Sequence, residues 1–219
     1  MRLNMKKPIL LLVVIWAFSY GLHLFRSWYT KIDEGTISHE EFVDLNLPSG
    51  TLWASKNIGA NAPENDGNFY AWGECEVKDN YYQVNYQFYS GETLPDRPNY
   101  YNEETIKVVD IGTNIQGTKY DVASVILGGN SCMPSEENLI ELVKECSWKD
   151  GKLNGIRGYK ITGKNGKSIF LPYSYYWSSN LDSNDILMSL ALRAIEDEEV
   201  KTVGVGRRFG LNVRAICKQ

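Results

Sequence analysis

The chain has 219 residues and a formal net charge of -4, with a sequence pI near 5.3. That length fits one domain with at most a small appendage, and the acidic balance excludes the broad basic face that nucleic-acid binding requires. At 43% hydrophobic and 23% charged residues it is a folding chain, and its 19 glycines favour many turns.

Arg2, Lys6 and Lys7 precede an apolar run from Ile9 to Phe18, with small-residue steps at Ala17-Phe18-Ser19 and Ser19-Tyr20-Gly21. This order predicts a signal peptide over residues 1–21. Stretched from Pro8 to Phe25, with Trp16, Trp28 and Tyr29 as interface aromatics, the same run predicts an uncleaved membrane anchor, although Ser19, Gly21 and His23 interrupt it. Both readings export the rest of the chain, and residues 22–40 read as a spacer. Removal of residues 1–19 takes away Arg2, Lys6 and Lys7 and no acid, which lowers the formal charge from -4 to -7 and suits solubility.

Cys75, Cys132, Cys146 and Cys217 in an exported chain predict up to two disulfides, with three connectivities open. No C-x-x-C pair is present, so no zinc ribbon or finger is expected. Without the leader, His39 is the histidine sure to be left, His23 lying just behind the predicted cut. It sits in Ser38-His39-Glu40-Glu41, a solvated lead-in, and any Ser-His-Asp or Cys-His site would have to use it. A common hydrolase is thereby disfavoured.

Residues 41–219 read as the folded domain. Phe42 to Leu45 is a short strand, Pro48-Ser49-Gly50 a turn, and Thr51 to Ala54 a second strand. Phe69 to Gly73 is an aromatic patch. Residues 76–120 carry Tyr81, Tyr82, Tyr86, Tyr89, Tyr100 and Tyr101 among Asn, Asp, Gly and Pro with no sustained period. They predict an irregular Tyr-rich excursion, either a stacking surface or a loop packed by its own tyrosines. Asp121 caps a helix that Gly128-Gly129 ends. Ser135 caps a second helix, which places Leu139, Leu142, Val143 and Cys146 on one face and Glu136 and Glu137 in the first turn. Tyr159–Thr162 and Ser168–Leu171 form a hairpin, with Asn165-Gly166 supplying positive φ angles. Strands follow at Tyr175–Ser178, Ile186–Leu192, Val200–Val205 and Leu211–Cys217. Short strands around two helices define an α+β domain.

These runs resemble an exported family of gut and rumen bacteria, the Fibrobacter succinogenes major paralogous domain family abundant in Bacteroidetes. The resemblance rests on Val43-Asp44-Leu45-Asn46-Leu47-Pro48-Ser49-Gly50-Thr51-Leu52-Trp53-Ala54, then Asn57-Ile58-Gly59-Ala60, Pro63-Glu64, Gly67 and Tyr70-Ala71-Trp72-Gly73-Glu74. Tyr120-Asp121-Val122-Ala123, Gly128-Gly129, Met133-Pro134-Ser135, Gly158 to Gly163, Asn165-Gly166, Ser168 to Pro172, Tyr176-Trp177-Ser178-Ser179 and Val213-Arg214-Ala215 continue it in order. It covers roughly residues 42–217. The chain departs from the family where Ser131-Cys132 precedes Met133-Pro134, and where Pro172 runs almost directly into Tyr175-Tyr176-Trp177. The stretch from Asp182 to Gly206 is also poor in aromatics.

The resemblance implies a C-type lectin-like (sulfatase-modifying-factor-like) fold, in which first and last strands pair and a helix packs on the sheet. It implies a Cys146–Cys217 disulfide, with Cys75 and Cys132 left as a weaker pair. It further implies a non-enzymatic surface or envelope binding domain with a ligand face between Ser178 and Arg208. The polar candidates there are Asn180, Asp182, Asn184, Arg207 and Arg208, and Tyr173, Tyr175 and Trp177 offer rings, although Trp177 reads first as core because large aromatics mostly bury. The expected ligand is a glycan or a surface protein, not nucleic acid, and the membrane is met only through an uncleaved N-terminal segment. No cofactor is expected. Asp182-Ser183-Asn184-Asp185 offers hard oxygens for calcium, but the Glu-Pro-Asn type of motif of sugar-binding C-type lectins is absent. The alternatives are a structural subunit of an envelope assembly and a formylglycine-generating-type enzyme using Cys132, a thiol near a helix start.

Overall fold

The computed structural model describes residues 31–33 and 41–218. The leader reading, most of the spacer and His39 lie outside the described residues. The chain divides into Met1–Lys31 and Ile32–Gln219, and the second unit is the one described below. Among the described residues no helix is long and apolar enough to cross a membrane.

The first hairpin forms as the sequence predicts. β1 (Phe42–Asp44) runs against β2 (Leu52–Ala54) with Val43 opposite Trp53. The Gly50 N–H closes the turn on Leu47 O at 2.9 Å, with Gly50 at a φ of 70° that glycine adopts without a Cβ penalty. The Tyr-rich excursion holds a 3-10 turn (Gln83–Asn85) and four short strands: β3 (Tyr89–Ser90), β4 (Thr93–Leu94), β5 (Arg97–Tyr101) and β6 (Lys107–Val108). They pair as two separate ribbons, β3 with β6 and β4 with β5.

Both helices start at their predicted caps. Asp121 accepts from Ala123 N and Ser124 N at the head of α1 (Val122–Leu127). Ser135 and Asn138 form a reciprocal capping box at the head of α2 (Glu136–Glu145). Between them lies β7 (Ser131–Cys132). Leu139 and Leu142 of α2 are buried, with Val143 and Cys146 packed beside them, as the 3.6-residue period requires.

β8 (Ser147–Leu153), β9 (Ile156–Thr162) and β10 (Ser168–Pro172) make one antiparallel sheet. The sequence pattern does not predict β8. Its turn is Asn154-Gly155, with φ of 49° and 89°, joining Leu153 to its partner Ile156, the two-residue geometry that a right-handed twist favours. The predicted β9–β10 turn differs in detail. Gly166 alone takes a positive φ, of 82°, and Asn165 turns its amide to Asp44 O at 2.8 Å.

β11 (Ser174–Leu181), β12 (Met188–Ala194) and β13 (Lys201–Gly206) form a third sheet. The predicted closing strand is regular only at β14 (Ile216–Cys217). It pairs with β2 and β7, so the four-stranded order β1-β2-β14-β7 brings the end of the domain to its beginning. Upstream of it, Ala215 O and Val213 O still accept from Ala54 N and Ile58 N at 2.9 and 3.0 Å.

Two large apolar clusters and one small one fill the interior of the described residues. One gathers Tyr70, Trp72, Tyr86, Phe88, Trp177 and Val213, and the other Val43, Trp53, Leu139, Leu142, Ile161 and Ile169. Trp177 is completely buried, which assigns it to the core. Arg214 is buried as well, and donates to Asn57 Oδ1, Ala54 O and Phe170 O at 2.8, 3.1 and 2.9 Å. Burial lowers its pKa to about 10. Ile32, assigned to the spacer by sequence, is buried with Leu153 and Phe170, and its N–H bonds Lys152 O at 2.8 Å.

The cysteines are unbridged in the structure. All four are free thiols, so neither Cys146–Cys217 nor Cys75–Cys132 is bridged. Ile216 points into the cluster that Cys146 joins. Cys217, the next residue along the strand, faces the other way. Cys75 and Cys132 belong to different clusters.

Candidate ligand-binding surface

The excursion is held to the domain by some of its aromatics. Tyr86, Phe88 and Tyr89 are buried. Edge-on contacts at 4.6–5.5 Å link Tyr86 to Tyr89 and to Phe88, and Phe88 to Tyr120. Other rings stay at the surface. Tyr82 is 41% exposed and meets the edge of Tyr100 at 6.5 Å. The packing reading therefore holds for Tyr86 and Tyr89, while Tyr82 stays open at the surface.

The loop after β13 meets this surface. Arg207 goes inward and is 1% exposed. Its guanidinium lies over Trp72 at 4.7 Å and Tyr86 at 5.7 Å. It donates to Tyr86 Oη at 3.1 Å and Ile186 O at 3.2 Å, while Nη2 has no hydrogen-bond partner. Burial pushes the Tyr86 hydroxyl well above its ordinary pKa and Tyr89 to about 12, the Arg207 charge acting in the opposite direction on both. Both phenols thus remain neutral beside a charged guanidinium.

Arg208 goes outward. Its Nη1 donates to Tyr81 O at 2.8 Å, and its guanidinium sits over Phe209 at 3.9 Å and Tyr100 at 5.5 Å. Arg97 covers Tyr100 too, at 4.6 Å. Phe209 is 42% exposed. Tyr81 fixes the join, since its hydroxyl donates to Phe69 O at 2.6 Å and its ring lies so close to Gly210 that a Cβ there would stand 2.5 Å from it. The result is a surface of alternating rings and cations, Arg97, Tyr100, Arg208 and Phe209 with Tyr82 at the edge, assembled from two segments about 110 residues apart.

The candidate residues named from sequence fall in several places. Arg208 joins this surface, and Arg207 lies beneath it as core. Asn180 accepts from Glu136 N at 2.8 Å and so serves the start of α2. Asp182 accepts from Asn184 N at 2.9 Å, and Asp185 from Leu187 N at 2.9 Å, so the acidic loop spends these oxygens on its own turns. Among the described residues no group of three His, Cys, Asp or Glu is placed to hold a metal. Tyr175 pairs with Arg193 across β11 and β12.

Tyr173 belongs to a second aromatic row, with Tyr159 at 5.2 Å, Trp148 at 5.5 Å beyond it, and Arg157 over Tyr173 at 5.4 Å. That row is neutralised from within, because Arg157 pairs with Glu196 and Tyr173 bonds Asp150.

Sequence reasoning does not single out Arg97, Tyr100, Tyr82, Tyr81 and Phe209 as one site. The signal present is slight: an arginine three residues before a tyrosine in Arg97-Pro98-Asn99-Tyr100, and one directly before an aromatic in Arg208-Phe209.

Clefts among the described residues lie outside this surface, two of them larger than a third beside Phe42 and Ile58. One of about 510 Å³ is lined by Glu74, Cys75, Lys78, Lys119 and Tyr120, and Glu74 there is tied to Lys78 and to Gln87 N. The other, of about 600 Å³, is lined by Gln116, Gly128, Gly129, Cys132 and Lys218. Burial, then the Asp121 carboxylate, pushes the Cys132 thiol up to about 11. Cys132 lies on β7, ahead of the Ser135 cap, and so sits on a strand and not in the first turn of α2.

The chain matches no family model, no curated protein and no solved structure.

Proposed function

We propose that the chain is an exported, non-enzymatic binding domain of the C-type lectin-like kind, acting at a cell surface or envelope, and that it holds a saccharide on the Arg97–Tyr100–Arg208–Phe209 surface. The observation that carries this reading is the exposure of rings and guanidiniums on a rigid base. Phe209 and Tyr82 remain near 40% open, while Arg207, Trp72 and Tyr86 beneath them are buried and mutually bonded. Flat apolar rings beside polar N–H groups suit a sugar, which presents C–H faces and hydroxyl edges. The pairing of β14 with β2 and the packing of α2 beside the sheets support the lectin-like part. The export part rests on residues 1–21. A nucleophilic role for Cys132 is disfavoured by its burial and its pKa of about 11, since the thiolate is the reactive form.

The test is a thermal-shift screen of the chain against polysaccharides, mucin glycans and envelope peptides, with and without calcium. A glycan that raises the melting temperature with dose, and does so no longer in Tyr82→Ala/Phe209→Ala, supports the reading. A shift from peptides alone, or one that survives the double substitution, overturns it.

A further inference from the structure

We infer that the saccharide is acidic, and that Arg97 and Arg208 together recognise its carboxylate. The inference rests on the saccharide reading above and specifies the ligand class for the same surface.

Two cations share one tyrosine ring here, Arg97 at 4.6 Å and Arg208 at 5.5 Å from the centre of Tyr100. Among the described residues neither forms an ion pair, whereas Arg193 pairs with Glu198 and Arg157 with Glu196. Two like charges gathered without an acid repel each other, and a bound anion relieves that repulsion. The chain as a whole is acidic, at -4, so two neighbouring arginines without an ion pair among the described residues stand against the overall balance.

The geometry favours a carboxylate. A guanidinium that covers a ring uses its face and keeps its N–H edges for hydrogen bonding, and the planar fork matches a carboxylate in two parallel bonds. Arg208 is already oriented by Tyr81 O at 2.8 Å, so little of its freedom remains to be lost on binding. Beside the cations, Tyr82 and Phe209 offer exposed rings that a pyranose face can cover. A uronate residue carries both groups on one ring. An acidic peptide supplies the carboxylate without the flat face.

The experiment is calorimetric titration of the full chain with oligogalacturonate, with the same oligosaccharide after carboxyl reduction, and with polyglutamate. The expected result is binding of the acidic sugar, at least tenfold weaker binding of the reduced sugar, and weaker binding again of polyglutamate. Arg97→Gln and Arg208→Gln are expected each to weaken the acidic sugar about tenfold and leave the reduced sugar unchanged. Arg97 is exposed, so its substitution leaves the fold intact, and an unchanged melting temperature verifies this. Equal binding of the acidic and reduced sugars overturns the carboxylate inference and leaves the saccharide reading standing. Failure of both sugars to bind overturns the saccharide reading and the inference with it. Polyglutamate binding as tightly as the acidic sugar shows that charge alone is read, and also overturns the inference.

Discussion

Asp121→Ala removes more than a helix cap. The carboxylate is completely buried and accepts five hydrogen bonds from main-chain amides. Oδ1 takes Ala123 N, Ser124 N and Met133 N at 2.9, 3.1 and 3.0 Å, and Oδ2 takes Gly117 N and Met133 N at 2.8 and 3.0 Å. One side chain thus joins the end of the excursion, the head of α1 and the step after β7. Loss of an N-cap alone costs about 1 kcal/mol. The stranded amide of Met133, which is buried, adds about 1–3 kcal/mol, and Gly117, partly reached by water, adds less. The expected loss is about 2–5 kcal/mol, a large share of the ~5–15 kcal/mol that holds an ordinary domain. Asp121→Asn retains one acceptor but sets an amide donor against the Gly117 or Met133 N–H, so it should fall between wild type and alanine. Urea unfolding followed by tryptophan fluorescence measures both, with the slope checked for constancy. A loss below about 1 kcal/mol for Asp121→Ala would falsify the claim that this carboxylate does anything beyond capping.

Three further outcomes are expected. Unfolded in the absence of reductant, the chain should expose four thiols to a disulfide reagent; a count of two refutes the free-thiol state. Burial raises Cys132 and Cys146 from 9.0 to about 11 in the fold, so the folded state holds these protons more tightly. Their contribution to stability is whole below about pH 9 and is lost as pH rises through about 11. Wild-type stability should therefore fall across this window more than that of Cys132→Ala, and an equal fall in the two proteins contradicts the shift. Arg214→Lys keeps the charge but loses the fork that reaches Asn57, Ala54 and Phe170. It should cost about 2–4 kcal/mol, and an unchanged melting temperature refutes it.

The legible parts of the fold are those written in local chemistry. Asp121 and Ser135 declare their helices because a short acceptor before an apolar period meets the unpaired amides of a first turn. The apolar face of α2 follows from its spacing. β8 escapes the pattern because Lys149, Asp150 and Gly151 break the alternation, yet Asn154-Gly155 immediately after it is a strong short-range hairpin signal. The free thiols are not legible, since four cysteines in an exported chain suggest disulfides, the pairing comes from a family resemblance, and the face of β14 that Cys217 takes is fixed only by the fold. The candidate surface is half legible. Arg208 stands out in the sequence, but its partners Arg97 and Tyr100 lie far away along the chain and no periodicity links them. Arg207 reads as a surface residue because arginine is seldom buried; here Trp72 and Tyr86 cover its faces and Ile186 O accepts from Nη1.

The inward turn of Arg207 and the outward turn of Arg208 explain each other. The Arg207 main chain is held on both sides, its N–H by Leu187 O at 3.0 Å and its carbonyl by Trp72 N at 2.8 Å. With that residue fixed, its side chain enters the space between Trp72 and Tyr86. The chain then turns, the Phe209 N–H bonding Gly206 O at 3.0 Å, and this carries the Arg208 side chain out towards Tyr100. Phe209 and Gly210 complete the step, Phe209 packing over Gly206 and Gly210 leaving room for Tyr81. A buried cation with an unpartnered Nη2 is an expensive foundation, since desolvating a charge costs several kcal/mol even after relaxation. If Arg207 only filled volume, a methionine would fill it as well and remove that cost. Arg207→Met removes the buried charge but strands Ile186 O and loses the Tyr86 bond and both ring contacts, so it should cost no more than about 1–3 kcal/mol of stability while weakening ligand binding through a displaced Arg208. Stability and affinity measured on the same variant separate the two roles: a stable protein with full affinity shows that Arg207 does not position the surface at all.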